Sequence, residues 1–140
     1  MYLRTLFILC FIVLGNTFTS KGQIERIKRS CELNFPSEFI SDGQDYFAAL
    51  KPDQKIEFRT TFFSDNTYRI SACSTVKKGK IVFSVYDTDK NLLFTNESFD
   101  YTPYWNFTFK STVTCTIQVD VVGNSSFTPG YVMLLIGYKQ

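Results

Sequence analysis

The segment VTCTIQVDV, residues 113–121, alternates apolar and polar residues along its whole length. Successive side chains of a β-strand point to opposite faces, so this alternation is typical of a strand with one buried face. Shorter alternations recur along the chain, and no window shows the three-to-four-residue spacing of a long amphipathic helix. The predicted strands are residues 46–50, 55–63, 68–73, 80–86, 91–95, 105–110, 113–121 and 131–138. We therefore predict an all-β fold, a single-domain two-sheet antiparallel β-sandwich that is jelly-roll-like and has about eight strands.

The same alternation predicts which side chains face the core. The predicted inward residues are Ile56, Phe58, Phe62, Tyr68, Ile70, Ala72, Ile81, Phe83, Val85, Trp105, Phe107, Phe109, Val113, Cys115, Ile117, Val119 and Val121. In the last strand either Val132, Leu134 and Ile136 or the opposite set faces inward. Pro36 makes residues 34–41 an extended lead-in or a short turn, because proline does not fit a helix interior.

The N-terminal residues have the pattern of a signal peptide. Arg4 supplies a positive charge, and residues 6–14 form an apolar run that is too short to span a bilayer. Small residues at 20 and 22 fit a cleavage site, so we predict a signal peptide at residues 1–22 with the cut after Gly22. A solvated leader at residues 23–30 and the sandwich at 31–140 would follow. The protein is then secreted or periplasmic, with no transmembrane segment in the mature chain.

The charge balance excludes one class of partner. The chain has 15 basic and 13 acidic side chains, and the predicted signal removes Arg4 and Lys21 but no acid, which leaves 13 of each sign. A nucleic-acid-binding protein needs a basic stripe that neutralises a run of phosphates, and the sequence has none. We therefore predict no nucleic-acid partner, and nothing in the pattern specifies an oligomeric state.

The cysteines predict one disulfide and no catalytic thiol. Cys10 lies in the predicted signal, so the mature chain keeps Cys31, Cys73 and Cys115, an odd number that allows one internal pair. Cys115 has inward parity and Cys73 has the opposite parity from Ile70 and Ala72. Pairing of Cys31 with Cys73 and pairing of Cys73 with Cys115 both stay open. A catalytic cysteine needs a base, and the chain contains no His.

An acidic segment between two predicted strands raises the question of a metal site. In VFSVYDTDKNLLFTN, residues 82–96, Asp87, Asp89 and Asn91 lie at alternate positions. A calcium loop of the EF-hand type also needs Gly at its sixth position and Glu at its twelfth, where this chain has Leu92 and Ser98. Asp and Asn are favoured in tight turns, so we interpret residues 87–91 as a hairpin turn. A weak calcium site that uses these three residues is the alternative, and no other cofactor is expected.

Several short motifs occur in a fixed order. They are DYF at 45–47, NTYRIS at 66–71, VYD at 85–87 with NLL at 91–93, WNF at 105–107, TCTIQVDV at 114–121 and GYV at 130–132. This order resembles that of the elements in bacterial pre-peptidase C-terminal domains and related jelly-roll modules. The resemblance covers most of the mature chain. It implies a secreted, non-catalytic β-sandwich of a kind in which several members bind carbohydrate or calcium.

The aromatic segment FDYTPYWN, residues 99–106, is the main candidate for a binding site. Sugars stack their apolar faces on aromatic rings and form hydrogen bonds with nearby amides, so Tyr101, Tyr104, Trp105 and Asn106 are the predicted ligand-binding residues. Trp105 has the inward parity of Phe107 and Phe109, which makes a role at the end of the core its alternative. Phe62 and Phe63 are adjacent, so one of them must be exposed or lie at the end of the sandwich.

No motif of a known catalytic site occurs in the sequence, and we predict that the protein is not an enzyme. The sequons at Asn96, Asn106 and Asn124 are interpreted as incidental in a bacterial protein. Two functions follow from the residues. The first is a binding module for a glycan or another envelope component, held by loop aromatics. The second is a protein-interaction or assembly subunit of the cell envelope, in which a sheet face, an exposed edge or the Phe62–Phe63 corner meets another protein and Cys31 is a candidate for an intermolecular bridge.

Overall fold

The computed structural model describes residues 18–123 and 129–139. One α-helix, one 3-10 helix and eight strands lie in this part of the chain. They are α1 (Phe18–Glu32), β1 (Phe39–Leu50), β2 (Ile56–Phe62), β3 (Thr67–Ser74), β4 (Lys80–Tyr86), β5 (Leu92–Thr95), a 3-10 helix (Asn96–Phe99), β6 (Tyr104–Thr108), β7 (Val113–Val122) and β8 (Gly130–Lys139). The predicted eight-stranded, all-β sandwich is confirmed.

The strands form two four-stranded antiparallel sheets. Sheet I has the order β1-β8-β3-β6, and sheet II has the order β2-β7-β4-β5. The pairs are nested along the sequence, because β4 pairs with β5, β3 with β6, β2 with β7 and β1 with β8. The chain thus resembles one long hairpin folded over on itself, which is the jelly-roll arrangement.

The core lies between the two sheets and follows the predicted parity. Its buried residues include Phe62, Ile70, Phe83, Val85, Cys115, Ile117, Val119, Val132, Leu134 and Ile136. Strand β8 is buried on both faces, since Met133 and Leu135 are covered as well. Of the two sets predicted for this strand, Val132, Leu134 and Ile136 face the core between the sheets. Met133 and Leu135 lie on the outer face of sheet I, so another element must cover that face.

That element is α1, which the sequence did not predict. Ile24, Ile27 and Cys31 lie on one side of the helix, where they pack against Cys73, Met133 and Leu135. The interpretation of residues 23–30 as a solvated leader is therefore wrong. The described apolar side of α1 consists of these three residues in an otherwise charged segment. The helix is therefore stabilised mainly by packing against sheet I and not by a strong amphipathic pattern of its own.

The predicted signal peptide falls mostly outside the described residues. Its residues 1–17 are not described, and the predicted cleavage position after Gly22 lies within α1. In residues 18–123 and 129–139, no helix is long and apolar enough to cross a membrane.

Strand β1 begins earlier than the sequence predicted. Residues 39–41 pair with β8, although the expected structure there was a lead-in or a short turn. The register shifts between Ser41 and Asp45, where Gly43 has φ +81°. This bulge interrupts the apolar alternation with polar residues and thereby concealed the first part of the strand. Lys28 of α1 forms an ion pair with Asp45 at 2.7 Å just after the bulge.

A disulfide joins α1 to sheet I. Cys31 pairs with Cys73 of β3, with a Cα–Cα distance of 5.7 Å, which lies in the range typical of disulfides. Cys73 points to the outer face of the sheet, as its parity predicted. Of the two pairings left open by the sequence, the structure selects this one and leaves Cys115 as a buried thiol.

Candidate functional site

The structure separates the four predicted ligand-binding residues. Tyr104 and Asn106 lie on the outer face of β6, where they pair in register with Ser71 and Arg69 of β3. Trp105 lies between them in sequence and faces the core. Tyr101 lies in the preceding turn with φ +57°, and its ring is 4.3 Å from Lys80 Nζ. These rings therefore do not form one platform.

Trp105 closes the core beside the edge of the sandwich. Its ring centroid is 5.1 Å from that of Phe94 and 4.3 Å from that of Phe99. Phe99 of this stack is partly exposed, and Leu92 and Leu93 of β5 are exposed as well. The geometry fits the alternative role of Trp105, a ring that plugs the end of the core and leaves one edge near the surface.

Tyr104 and Asn106 meet a residue that sequence analysis missed. Arg69 Nε donates a hydrogen bond to Asn106 Oδ1 at 2.8 Å. Its guanidinium carbon lies 4.3 Å from the centre of the Tyr104 ring and 4.6 Å from the centre of the Phe39 ring. Arg69 Nη1 also donates to the backbone oxygen of Asn34. We call these five residues, Arg69, Phe39, Asn34, Tyr104 and Asn106, the Arg69 site.

The backbone around the Arg69 site is held in place by close packing and hydrogen bonds. Asn34 Nδ2 donates to Ser71 Oγ at 2.9 Å, which fixes the segment after α1 against β3. Gly137 of β8 leaves room for the Phe35 ring, since a Cβ there would lie 2.9 Å from Phe35 Cε1. Next to the site, a surface cleft of ≈ 310 Å³ is lined by Thr102, Tyr104, Trp105 and Asn106.

Residues 87–91 form the predicted hairpin turn between β4 and β5. Asp87 Oδ1 accepts hydrogen bonds from the backbone amides of Asp89 and Asn91, and Asp87 Oδ2 accepts one from Asn91 Nδ2. These bonds, first of all that from the Asn91 side chain, lower the pKa of Asp87. Within the described residues, no group of three or more His, Cys, Asp or Glu side chains could hold a metal ion. Both Asp87 oxygens thus serve the turn, and the calcium site stays a prediction.

A second surface feature lies at one end of the sandwich. Phe62 is buried while its neighbour Phe63 is 60% exposed, as expected for two adjacent strand residues. A cleft of ≈ 270 Å³ opens beside Phe63, lined by Asp42, Gln44, Thr60, Thr61, Phe62, Phe63, Tyr68, Ile136 and Tyr138. Burial raises the pKa of Asp42 at its rim. We call this surface the Phe63 cleft.

Of the three sequons, Asn96 is fully buried and Asn106 is exposed in the Arg69 site. Asn124 lies outside the described residues. The buried amide of Asn96 cannot accept a glycan in the folded protein, which agrees with the interpretation of this motif as incidental.

We expect the Cys115 thiol to be unreactive in the native protein. Cys115 is buried in β7, and burial raises the pKa of its thiol to about 11. At pH 8 only about one thiol in a thousand is then ionised, and the thiolate is the reactive form. Iodoacetamide followed by peptide mapping should leave Cys115 unmodified at pH 8 and modify it in denaturant. Labelling of the native protein at the rate of a free cysteine would contradict its burial.

Comparisons with known proteins support the fold. No protein-family model and no curated protein matches the sequence. Among solved structures, the fold is similar to that of PliG from Aeromonas hydrophila, a periplasmic lysozyme inhibitor of g-type lysozyme, with a TM-score of 0.54 and 12% identity. The match covers 75% of this chain and 91% of that one. At this identity the similarity concerns the fold alone, and the resemblance to pre-peptidase C-terminal domains stays a prediction.

Proposed function

We propose that this protein is an exported, non-catalytic binding module that holds a saccharide of the cell envelope at the Arg69 site. The proposal rests on the exposed Tyr104 ring, which contacts the ordered guanidinium group of Arg69 and lies beside the Asn106 amide. The ring offers an apolar face for a sugar, and Asn106 Nδ2 is a hydrogen-bond donor next to it. The adjoining cleft of ≈ 310 Å³ is at the lower end of the volumes of small-molecule sites, about 300–1,000 Å³.

Two observations support export. Disulfides such as Cys31–Cys73 form and persist in oxidising compartments, including the bacterial periplasm. The protein of similar fold, PliG, is periplasmic. Together with the apolar N-terminal segment, these observations support a binding partner in the envelope or outside the cell.

Replacement of Tyr104 by alanine should abolish saccharide binding without unfolding the protein, because the ring is 37% exposed at the edge of sheet I. The measurement is a thermal-unfolding screen of wild type and variant against a panel of envelope polysaccharides and calcium. A ligand at one hundred times its Kd, bound only by the native state, adds about 2.7 kcal/mol to the free energy of unfolding. Phe63→Ala is the matched control, since it removes an exposed ring elsewhere. A stabilisation that Tyr104→Ala retains, or none with any saccharide, would contradict the proposal.

A protein partner at the Phe63 cleft is the second candidate function. Phe63 is exposed at the mouth of an open cleft, and PliG shows that a protein of this fold can inhibit another protein, a lysozyme. The predicted intermolecular bridge through Cys31 is wrong for this candidate, because Cys31 is paired with Cys73. Capture of an envelope protein that Phe63→Ser loses and Tyr104→Ala keeps would favour this function over the first.

A further inference from the structure

The geometry points to Arg69 as the receptor of a carboxylate group, and we propose that the saccharide bound at the Arg69 site is an acidic one. This inference rests on the proposed function and specifies the class of its ligand. A guanidinium group matches the planar, two-oxygen geometry of a carboxylate.

The guanidinium group is oriented before any ligand arrives. Two of its nitrogens are held by Asn106 Oδ1 and by the Asn34 backbone oxygen, while the Tyr104 and Phe39 rings contact it. Cation–π contacts of this kind restrict an arginine side chain that would otherwise lose its rotamer freedom on binding. Ligand binding therefore costs little further side-chain entropy at Arg69, because folding has already ordered the guanidinium group.

Within the described residues, no carboxylate is paired with the charge of Arg69. Among residues 18–123 and 129–139, the ion pairs involve Lys28, Lys55 and Lys139, and no carboxylate lies within 4.0 Å of Arg69. Both acceptors that Arg69 has, the Asn106 amide oxygen and a backbone carbonyl, are neutral. A half-buried cation with neutral partners favours an external anion.

One nitrogen of the group remains available. Arg69 Nη2 makes no hydrogen bond to a described residue. No buried side-chain nitrogen or oxygen in the described part of the chain lacks a hydrogen-bond partner, so Nη2 must be reached by solvent. The Nη2 donors, together with the second hydrogen of Nη1, can receive a carboxylate from outside.

The surroundings indicate a single carboxylate rather than a polyanion. Two cations of the neighbouring elements are already paired, Lys28 with Asp45 and Lys139 with Glu38. Strongly charged polymers are bound by stripes of several basic residues, whereas the Arg69 site contains a single cation. The ring of Tyr104 beside the guanidinium adds a surface for the body of a sugar, so a carboxylated saccharide fits both groups.

The substitution Asn106→Asp tests the inference, because the two side chains have nearly the same shape and differ in charge. The new carboxylate would lie at hydrogen-bond distance from Arg69 and supply the missing counter-charge within the protein. We expect the variant to remain folded, with an unfolding midpoint at or above that of wild type, and to lose affinity for acidic saccharides at least tenfold. If Arg69 has a purely structural role, this variant should lose affinity for acidic and neutral saccharides alike, because it lacks the Asn106 Nδ2 donor.

The probes are two matched pairs, measured by isothermal titration calorimetry. A neutral oligosaccharide that ends in one galacturonic acid is compared with its methyl ester, and an oligomer that contains one glucuronic acid is compared with the corresponding glucose oligomer. We expect wild type to bind an acidic probe at least tenfold more tightly than its neutral partner, and Asn106→Asp to lose that preference. Equal binding of acidic and neutral probes, lost in Tyr104→Ala, would overturn the carboxylate inference and leave the proposed function in place. Binding of none of the four would overturn both.

Discussion

Removal of the Cys31–Cys73 disulfide, as in the double variant Cys31→Ala/Cys73→Ala, should lower the free energy of unfolding by about 4 kcal/mol. The bridge spans 42 residues, and the chain-entropy model gives about 3 kcal/mol for a loop of 15 residues and about 4.7 for one of 100. The loss should act on α1 first, because the described packed side of the helix consists of Ile24, Ile27 and Cys31. Denaturant unfolding of both proteins measures the difference.

The control for this prediction is a reductant. Wild type should lose stability in dithiothreitol, whereas the double variant should be insensitive to it because its remaining described cysteine, Cys115, is unpaired. Equal stability of wild type with and without a reductant that demonstrably opens the bridge would show that packing alone holds α1 on sheet I.

Asn96→Ala should lower the free energy of unfolding by about 3 kcal/mol. Asn96 is fully buried at the start of the 3-10 helix. Its Oδ1 accepts from the Phe83 amide at 3.0 Å, and its Nδ2 donates to the oxygens of Ile81 and Thr102 at 3.1 and 3.0 Å. Alanine would leave three backbone groups without their partner, and each buried group left so costs about 1–3 kcal/mol.

The matched control is Asn91→Ala, which removes an exposed asparagine from the turn between β4 and β5. Its side chain makes one bond to Asp87 at the surface, so the expected loss is below about 1 kcal/mol. If both variants lost the same stability in denaturant unfolding, the Asn96 network would not stabilise the link between the β4 strand and the segment before β6.

The regular part of the sandwich could be predicted from the sequence, because apolar residues recur at every second position and every second side chain of these strands is buried. In β7, each of Cys115, Ile117 and Val119 is buried as its parity predicted. Strand β1 was only half predicted, since the bulge at Gly43 breaks the period where polar residues occur. The helix α1 was missed because its three packed residues gain their partners from strands far away in sequence.

The candidate site was predicted in part for a similar reason. Tyr104 and Asn106 are two residues apart in a strand, so the alternation of strand side chains predicts that they share a face. Arg69 joins them only through the register of β3 with β6, and nothing in the local sequence of β3 specifies that register. Its outward parity, shared with Ser71 and Cys73, was the one available signal.

The nested pairing of the strands has a consequence for how the chain reaches this structure. Of the paired strands in the described structure, only β4 and β5 are consecutive in sequence and joined by a short turn, whereas β1 pairs with β8 from the opposite end of the sequence, Phe39 beside Lys139. Each outer pair closes a longer loop than the pair inside it. The chain loses the entropy of closing that loop before the strand contacts can stabilise it. Proteins dominated by such distant pairings fold in milliseconds to seconds. The newly synthesised chain therefore spends that interval with the edges of both sheets open to other unfolded chains.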